Sequence, residues 1–385
     1  MLIGQFCESY PPTVDGVGRV MFSYCQNLQA LGHRALYIAP DNRKYAKPAG
    51  CETLLYGGVP VPGEAYRVGL PCLSRRYRRA VSPIRFDVLH AHSPFFGAHE
   101  ARRLARRDGA PLVATFHSKY YDDFLKATHS KRIANAVVKS IVRFYHSCDE
   151  VWAVNRQTGE VLKSYGYRGN IVVMPNGTDP FLLTDDERLN ALRRYPIRDG
   201  VPVLIFAGQQ NLKKNPDAAL RACAILKKAG QAFQMLMVGS GPDLSKLKML
   251  TKELGLENEV LFTGFLDERP VLMALYERAD LLVFPSLYDN APMVVREAAV
   301  MGTPSLLIEG SCSAEGVLHG VNGYLCKNSP EAIAQAVAEA LKTAKAVGLQ
   351  AKKTIPFPWN QLILAVEARY EALIQAKQRG TMHET

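Results

Sequence analysis

The sequence predicts an α/β protein of two doubly wound domains, each with a parallel sheet covered by helices. Three observations support this prediction. The chain has 385 residues, enough for two domains that each bury a core. Short apolar segments alternate with amphipathic helical ones, which is typical of repeated βαβ units. This alternation stops at the polar segment 179–199 and then starts again.

The first series begins with a strand at 2–6, a polar loop and an amphipathic helix that Gly32 ends, followed by a strand at 35–39. Strand, helix and strand in this order fit a βαβ unit, because parallel strands need a crossover connection. The rest of the series is predicted as strands at 88–92, 112–117, 150–154 and 171–175, with helices at 96–107 and 130–147.

The second series has the same character. Its strands are predicted at 201–208, 234–239, 260–264, 281–285, 304–308 and 323–326, and its helices at 216–229, 268–278, 330–344 and 360–377, with another ending at 254. We therefore predict domains at 1–180 and 200–355, a linker at 181–199, and a helix within 356–385 that packs back on the first domain. Ligands of such sheets bind outside the carboxyl ends of the strands.

Positive charge is concentrated in the first half of the chain. The formal net charge is +11, and residues 1–180 contain 24 Lys and Arg against 14 Asp and Glu. Residues 181–385 are nearly balanced, with 23 against 22. The surplus indicates nucleic acid or an anionic membrane face as a partner, unless it is only a basic surface. Nucleic acid is disfavoured because no recognition helix or RNA-binding motif accompanies the charge.

Cysteine usage and hydropathy favour the cytoplasm. The eight cysteines never form a Cys-x-x-Cys pair, so buried thiols are expected rather than a zinc site or a disulfide framework. No apolar run approaches the roughly 18 residues of a membrane-spanning helix. The N-terminus lacks the basic region of a signal peptide.

Two carboxylates flank the predicted helix start after the strand 281–285. Asp289 and Glu297 have seven residues between them, and Pro292 lies where the helix would begin. Free amides of a first helical turn, here 293–295, bind anions such as a diphosphate. Ionised carboxylates accept hydrogen bonds from sugar hydroxyls. In isolation the pattern fits equally well a helix with an Asp cap and an exposed Glu.

The segment 284–304 resembles the signature of the retaining glycosyltransferases of family four, which have the GT-B fold. That signature is Glu, seven residues and Glu, followed by Ala and a Gly-Thr-Pro turn. Here Asp289 replaces the first Glu, and Gly302 begins the turn. Further segments match family blocks in order: the loop with Gly16 and Gly18, then 90–92, 115–117, 173–179, 238–242, 262–265, 314–316 and 322–323. The resemblance implies two Rossmann-like domains that face each other across a cleft.

The resemblance also implies residue roles in transfer of a hexose from a nucleotide sugar. The catalytic candidates are Lys214 at the diphosphate, Asp289 at the sugar hydroxyls and His117 over the transferred sugar, while Glu297 would bind the ribose. The full donor set is Gly16, Gly18, Gly208, Gln209, Lys214, Gly239, Gly264, Phe265, Asp289, Asn290, Ala291, Met293, Val294 and Glu297. Retention without a clear nucleophile indicates attack from the leaving-group side. No cofactor and no dedicated metal site are expected, since no Asp-x-Asp follows a strand.

One position departs from the family pattern. The family has Gly-Arg after the first strand of the second domain, whereas here Gln209 follows Gly208. Lys213 or Arg296 could supply the missing charge beside the diphosphate. A dinucleotide-dependent oxidoreductase is disfavoured, because the segment 239–242 lacks the third glycine of that fingerprint.

The acceptor is expected on the first domain. Basic and apolar residues are mixed from Lys119 to Phe144, which suits either an anionic lipid headgroup layer or a core helix with a solvated cationic edge. The region from Glu8 to Phe95 is similar to bacterial enzymes that glucosylate diacylglycerol. The candidate acceptor and membrane residues are Tyr10, His92, Lys119, Lys131, Arg132, Lys139 and Arg143.

Three functional hypotheses remain. The first is transfer of a hexose, with glucose favoured, from a UDP-sugar to a lipid such as diacylglycerol or a monoglycosyl-diacylglycerol at the cytoplasmic membrane face. The second is the same chemistry on a soluble or polyprenyl-linked saccharide. The third is a non-catalytic anion-binding protein on a GT-B scaffold. The sequence does not determine the oligomeric state.

Overall fold

The chain folds into two compact units with separate sheets. A computed structural model describes residues 1–10, 16–41, 50–60 and 67–383. One unit combines Met1–Gly177 with Trp359–Thr385, and the other is Thr178–Pro358. Both main sheets are parallel and covered by helices, so the predicted α/β class with two doubly wound domains is confirmed.

The first unit has a seven-stranded parallel sheet. Its strands, with the hairpin pair β4 and β5, are β1 (Leu2–Phe6), β2 (Arg34–Pro40), β3 (Glu52–Tyr56), β4 (Gly58–Pro60), β5 (Arg67–Gly69), β6 (Val88–Ala91), β7 (Leu112–Phe116), β8 (Glu150–Ala153) and β9 (Val172–Val173). Its helices before the second unit are α1 (Gly16–Ala30), α2 (Arg75–Val81), α3 (Phe96–Asp108), α4 (Tyr120–Thr128), α5 (Lys131–His146) and α6 (Arg156–Ser164). The strand order is β3-β2-β1-β6-β7-β8-β9. Most strands are apolar along their length because helices cover both faces of a parallel sheet.

The second unit has a six-stranded parallel sheet. Its strands are β10 (Val203–Ala207), β11 (Gln234–Val238), β12 (Val260–Gly264), β13 (Leu281–Phe284), β14 (Ser305–Ile308) and β15 (Tyr324–Cys326). Its helices are α7 (Asp185–Arg193), α8 (Pro216–Lys228), α9 (Leu244–Glu253), α10 (Arg269–Arg278), α11 (Met293–Val300), α12 (Pro330–Ala340) and α13 (Ala344–Thr354). The strand order is β12-β11-β10-β13-β14-β15.

The segment 181–199, which the sequence assigns to a linker, lies within the second unit. It contains α7, which begins with a capping box between Thr184 and Glu187. Ala191 of α7 is fully buried against Val271 and Ala274 of α10. Leu192 of α7 also packs against the core of the second unit, but most of the helix is polar, so apolar periodicity in the sequence does not reveal it.

The final helix, α14 (Trp359–His383), belongs to the first unit. Its buried side chains are Trp359, Leu362, Ile363, Val366 and Tyr370. Polar contacts fix the other side of the helix. Arg369 forms an ion pair with Glu150 at 2.6 Å, Lys377 forms one with Asp149 at 2.7 Å, and the His33 ring contacts the Glu367 carboxylate at 2.6 Å.

Trp359 anchors the start of α14. Its ring packs edge-on against Tyr24 with centroids 5.4 Å apart, and it lies against Gly177, where an added Cβ would approach the ring to 2.4 Å. We expect Trp359→Ala to lower the free energy of unfolding by about 3–5 kcal/mol, because a large buried ring is lost. Urea unfolding followed by far-ultraviolet circular dichroism measures this change.

The matched control is Leu364→Ala on the same helix. Leu364 is 53% exposed, so its loss should change the free energy of unfolding by no more than about 0.5 kcal/mol. Equal effects of the two substitutions would show that Trp359 is no anchor.

Candidate functional site

Each sheet reverses its strand order at one point, and polar side chains gather at that point in both units. In the second sheet the reversal lies between β10 and β13, and in the first it lies between β1 and β6. Crevices at such positions are where doubly wound sheets bind ligands.

The loops after β10 and β11 are locked together through their backbones. A Cβ at Gly239 would lie 2.0 Å from the carbonyl oxygen of Gly208, and Gly208 itself has φ of +151°. Only glycine fits such an approach. The buried Gln210 side chain donates to the Val238 carbonyl at 3.2 Å. This packing fixes the position of the 3-10 turn Leu212–Lys214.

Lys214 and Asp289 form an ion pair between the loops after β10 and β13. Both side chains are largely buried, with 18% and 16% of their surface exposed. Ser286 donates a hydrogen bond to the second carboxylate oxygen of Asp289 at 2.6 Å. Ser313 donates to the backbone carbonyl of Asp289 at 2.9 Å. The pair is therefore held rigidly at the reversal point, with a cation available to an anionic ligand.

Helix α11 begins immediately beyond this pair. Pro292 is its N-cap rather than its first helical residue, and no side chain caps the helix. Glu297 is only 2% exposed and lies 3.7 Å from a guanidinium nitrogen of Arg269. The alternative of an Asp cap and an exposed Glu is therefore wrong, because Asp289 binds Lys214 and Glu297 is buried.

The other predicted donor residues lie around the same edge of the sheet. Gln209 is exposed, Asn290 is buried, and Ala291, Met293 and Val294 are half-buried. Gly264, at the end of β12, has φ of +74° and open space beside it. The next residue, Phe265, is 50% exposed.

Lys213 and Arg296 could supply the charge of the family arginine that Gln209 replaces. Their side chains contact different parts of the unit. Lys213 places its ammonium group 5.0 Å from the centroid of the Tyr288 ring, within the loop cluster around Asp289. Arg296 donates to the carbonyl of Ile355, after α13, at 3.1 Å. Burial lowers the pKa of Arg296. Lys213 is therefore the better placed of the two.

In the first unit, three histidines lie at the carboxyl ends of neighbouring strands. His90 is in β6, His92 follows it, and His117 follows β7. His117 contacts His92 through Nε2 and Nδ1 at 3.1 Å, and Nε2 of His92 donates to the Gln5 carbonyl oxygen at 2.8 Å. His90 contacts Tyr370 at 2.6 Å and Thr115 at 2.7 Å. The sequence indicated His117 and His92 but not Gln5 or Tyr370.

Burial keeps these imidazoles uncharged. Loss of hydration lowers the pKa of His117 to about 3, and it lowers the pKa of His90 and His92 well below the ordinary value. His117 is 8% exposed, whereas His90 and His92 are fully buried. His92 therefore supports the His117 ring through a hydrogen bond. Because His92 is fully buried, contact with a surface-bound acceptor does not account for the position of His92.

The remaining first-unit candidates divide into buried and exposed residues. Tyr10 is 3% exposed and packs edge-on against Tyr37. Lys119 is the half-buried N-cap residue of α4. The side chains of Lys131, Arg132, Lys139 and Arg143 are exposed on α5. Gly16 and Gly18 form the first turn of α1, while the preceding loop residues 11–15 lie outside the described residues.

Glu8 is a residue at this edge that sequence reasoning missed. It follows β1 by two positions, and its carboxylate accepts the backbone N–H of Gly97, in the first turn of α3, at 2.7 Å. Burial raises the pKa of Glu8 to about 7, although the Gly97 hydrogen bond opposes the shift. A Glu two residues after a strand carries no sequence signal that distinguishes it from a surface Glu.

The sequence of each unit matches a known protein family. The family described as Glycosyltransferase Family 4 matches residues 14–181, and Glycosyl transferases group 1 matches residues 188–353. The chain belongs to glycosyltransferase family 4. The site in the second unit is therefore the candidate site of a family 4 glycosyltransferase.

Known proteins resemble this family 4 member over most of its length. Alpha-monoglucosyldiacylglycerol synthase of Streptococcus pneumoniae is 25% identical over 312 residues, covering 79% of this chain and 70% of that protein. A GDP-mannose-dependent alpha-(1-6)-phosphatidylinositol dimannoside mannosyltransferase of Mycobacterium tuberculosis is 25% identical over 346 residues, covering 88% and 87%. The crystal structure of Anabaena HepE in complex with UDP and glucose has a TM-score of 0.76 at 18% identity, covering 96% and 99%. That likeness confirms the GT-B fold.

The described residues contain neither a membrane-spanning helix nor a cluster of metal ligands. None of the helices in the described ranges is both long and apolar enough to cross a membrane. Among the same residues, no three His, Cys, Asp or Glu side chains are grouped so that they could hold a metal ion. The expectation that no metal or cofactor takes part stays a prediction.

The Lys214–Asp289 pair gives a direct prediction. We expect Lys214→Ala to reduce turnover with the nucleotide-sugar substrate at least tenfold, because a charge-assisted contact of about 1.5–3 kcal/mol is lost. Product formation under saturating donor measures the effect, and thermal unfolding tests that the fold is retained. The control is Lys246→Ala, which removes a 66% exposed cation of the same unit. Wild-type turnover in Lys214→Ala would remove this lysine from the mechanism.

Glu8 gives a prediction about pH. Its pKa of about 7 in the folded protein exceeds the 4.5 of the free side chain, so the folded state binds the extra proton between these values. The stability contributed by the protonated Glu8 is therefore lost as pH rises through 7. We expect Glu8→Gln to gain on the order of 3 kcal/mol in free energy of unfolding, relative to wild type, between pH 4.5 and pH 8.

Urea unfolding of both proteins across this pH range measures the difference. The buried histidines titrate equally in both proteins, so their contribution cancels. Glu160→Gln is the control, because Glu160 is 69% exposed. Parallel stability profiles for wild type and Glu8→Gln would contradict the assignment.

Proposed function

We propose that this family 4 glycosyltransferase transfers a hexose, with glucose favoured, from a UDP-sugar to a lipid acceptor, with retention of anomeric configuration. The acceptor class is diacylglycerol or a monoglycosyl-diacylglycerol. The enzyme would work as a peripheral protein at the anionic inner face of the cell membrane. The alternative is the same transfer to a soluble or polyprenyl-linked saccharide.

The observation that carries the lipid acceptor is the exposed face of α5. Lys131, Arg132, Lys139 and Arg143 are all exposed, and the helix contains no Asp or Glu. Among the described residues, none of these four cations forms an ion pair with a carboxylate. Ile133 adds an apolar side chain that is 48% exposed on the same helix. Each cation near an anionic membrane contributes about 1 kcal/mol, so four suffice for reversible attachment.

A second cationic surface supports the same docking. All four arginines of α2 are exposed, and Leu73 just before this helix is 73% exposed. The described part of the chain offers these arginines, at 75, 76, 78 and 79, no carboxylate within ion-pair distance. Cations beside an exposed apolar side chain are typical of segments that enter a headgroup layer.

The comparisons support the substrate classes. The pneumococcal relative is named as a synthase of a glucosyldiacylglycerol, and the mycobacterial relative is named for a phosphatidylinositol mannoside. A solved structure of the same fold holds UDP and glucose. These names favour a lipid acceptor and a UDP-sugar, while GDP-mannose, the donor named for the mycobacterial relative, is the competing donor.

The second-unit site fits the donor half of this reaction. When the glycosidic bond to the diphosphate breaks, negative charge develops on the leaving phosphate, and Lys214 would stabilise it together with the first-turn amides of α11. Asp289 would then accept hydrogen bonds from sugar hydroxyls, and Glu297 would hold the ribose. The acceptor hydroxyl attacks the anomeric carbon from the leaving-group side, and its proton passes to the departing phosphate oxygen. Configuration is thereby retained.

Incubation with a panel of nucleotide sugars and lipid vesicles, followed by mass spectrometry of the products, tests the proposal. We expect hexosylated diacylglycerol or its monoglycosyl derivative with UDP-glucose as the preferred donor. Product on a soluble or polyprenyl-linked saccharide alone would establish the alternative. If none of the donors in the panel is hydrolysed or used for transfer, the proposed chemistry is refuted.

Membrane attachment through α5 gives a separate prediction. We expect replacement of Lys131, Arg132, Lys139 and Arg143 by Glu to abolish flotation with anionic vesicles while leaving binding of the donor nucleotide intact. Binding of wild type should also weaken with salt, since the Debye length falls from about 10 Å at 0.1 M to about 3 Å at 1 M.

The matched control reverses four exposed lysines of the second unit, Lys228, Lys252, Lys352 and Lys353, with the same change in net charge. This variant should float like wild type. Equal flotation of wild type with neutral and anionic vesicles, or with neither, would overturn electrostatic docking.

A further inference from the structure

A continuous chain of hydrogen bonds runs beneath the edge of the first sheet. It joins side chains from β1, β6, β7, the loops after β6 and β7, and the last helix, α14. Its order is His117, His92, Gln5, Tyr370, His90 and Thr115, with donor–acceptor distances of 3.1, 2.8, 3.1, 2.6 and 2.7 Å. All six are at most 8% exposed. Water therefore does not compete for these bonds, and each proton has a defined position.

The orientation of the Gln5 amide fixes the direction of the protons on one side of the chain. Its nitrogen donates to the Tyr370 hydroxyl, so its carbonyl oxygen faces His92. A carbonyl oxygen accepts only, so Nε2 of His92 carries the proton. In a neutral imidazole the other nitrogen, Nδ1, is then an acceptor.

The hydrogen bond between the two rings then fixes the proton of His117. Nδ1 of His92 accepts from Nε2 of His117, so the proton of the His117 ring lies on Nε2. Nδ1 of His117 is consequently a hydrogen-bond acceptor. Any group that contacts this nitrogen must therefore donate a hydrogen bond to it.

We infer that Gln5 and Tyr370 are positioning residues that hold His117 in the neutral Nε2–H tautomer, in which Nδ1 can only accept a hydrogen bond, whether from a ligand or from any other group. This inference rests on the proposed function only for the ligand's identity. If His117 meets the transferred sugar, the group at Nδ1 is a sugar hydroxyl, and the ring does not act as a cation beside the diphosphate.

The surroundings of the chain oppose any other protonation state. Tyr24 packs edge-on against both His90 and His92, and Trp152 stacks on Tyr370 with centroids 5.6 Å apart. These aromatic contacts exclude water, and burial lowers the pKa of His117 to about 3. A second proton on any of the three rings would therefore be unfavourable at neutral pH.

The tautomer is measurable without substrate. In the full-length protein labelled with ¹⁵N-histidine, two-bond proton–nitrogen correlations distinguish a protonated ring nitrogen from a bare one. The protein has nine histidines, and His117→Gln identifies the signals of His117 by their loss. We expect a protonated Nε2 and a bare Nδ1 for His117 at pH 7. A protonated Nδ1 would show that the Gln5 amide is reversed and would overturn the inference.

Substitution of the positioning residues tests the cause. Gln5→Met removes both hydrogen bonds of the amide, and Tyr370→Phe removes the acceptor that orients it. We expect both tautomers of His117 to appear in either variant, and kcat/KM to fall about tenfold, the loss of roughly one hydrogen bond. A single unchanged tautomer in both variants would refute positioning by Gln5 and Tyr370. Because Tyr370→Phe removes one oxygen atom, it keeps the test valid if Gln5→Met does not fold.

Gln234→Met is the matched control. Gln234 is also a buried strand glutamine, whose amide donates to Pro196 at 2.9 Å and accepts from Arg198 at 2.9 Å in the second unit. Its loss should leave the His117 spectrum unchanged. Absence of sugar transfer with a bare Nδ1 on His117 would refute the proposed function while leaving the tautomer assignment intact.

Discussion

The need to satisfy polar groups buried at the carboxyl ends of parallel strands shapes both units of this protein. An unpaired buried polar group costs free energy of about 1–3 kcal/mol, so hydrogen bonds and ion pairs between such groups stabilise the fold. In the second unit, Lys214 and Asp289 meet this requirement through an ion pair that Ser286 supports. In the first unit, neutral side chains meet it through a hydrogen-bonded chain.

These two solutions suit different tasks. The ion pair in the second unit keeps the cation of Lys214 near the N-terminus of α11. There a negatively charged ligand can replace Asp289 as the partner of Lys214. The first-unit chain contains no charge, because burial holds the pKa of its histidines far below neutrality. It can orient a hydroxyl but cannot neutralise a phosphate. The exposed cations of the first unit lie instead on the helices α2 and α5.

Helix α14 contributes a side chain to the buried hydrogen-bonded chain of the first unit. Trp359 and Tyr370 are buried in the first unit, and Tyr370 contacts both Gln5 and His90. The first unit is therefore incomplete until the second has been synthesised, because its polar core lacks the Tyr370 hydroxyl. This requirement gives a structural reason for a terminal helix that crosses back to the first unit.

The sequence by itself determined the fold class, most strands and the residues at the carboxyl ends of those strands. Two local patterns are visible in the sequence without knowledge of the fold: the alternation of apolar and amphipathic segments, and the spacing from Asp289 to Glu297. Tertiary structure alone decided that Lys214 pairs with Asp289, that α7 joins the second unit through Ala191, and that burial raises the pKa of Glu8. It also decided which nitrogen of His117 is protonated, because that depends on Gln5 and Tyr370, which lie 365 positions apart and meet only in the folded protein.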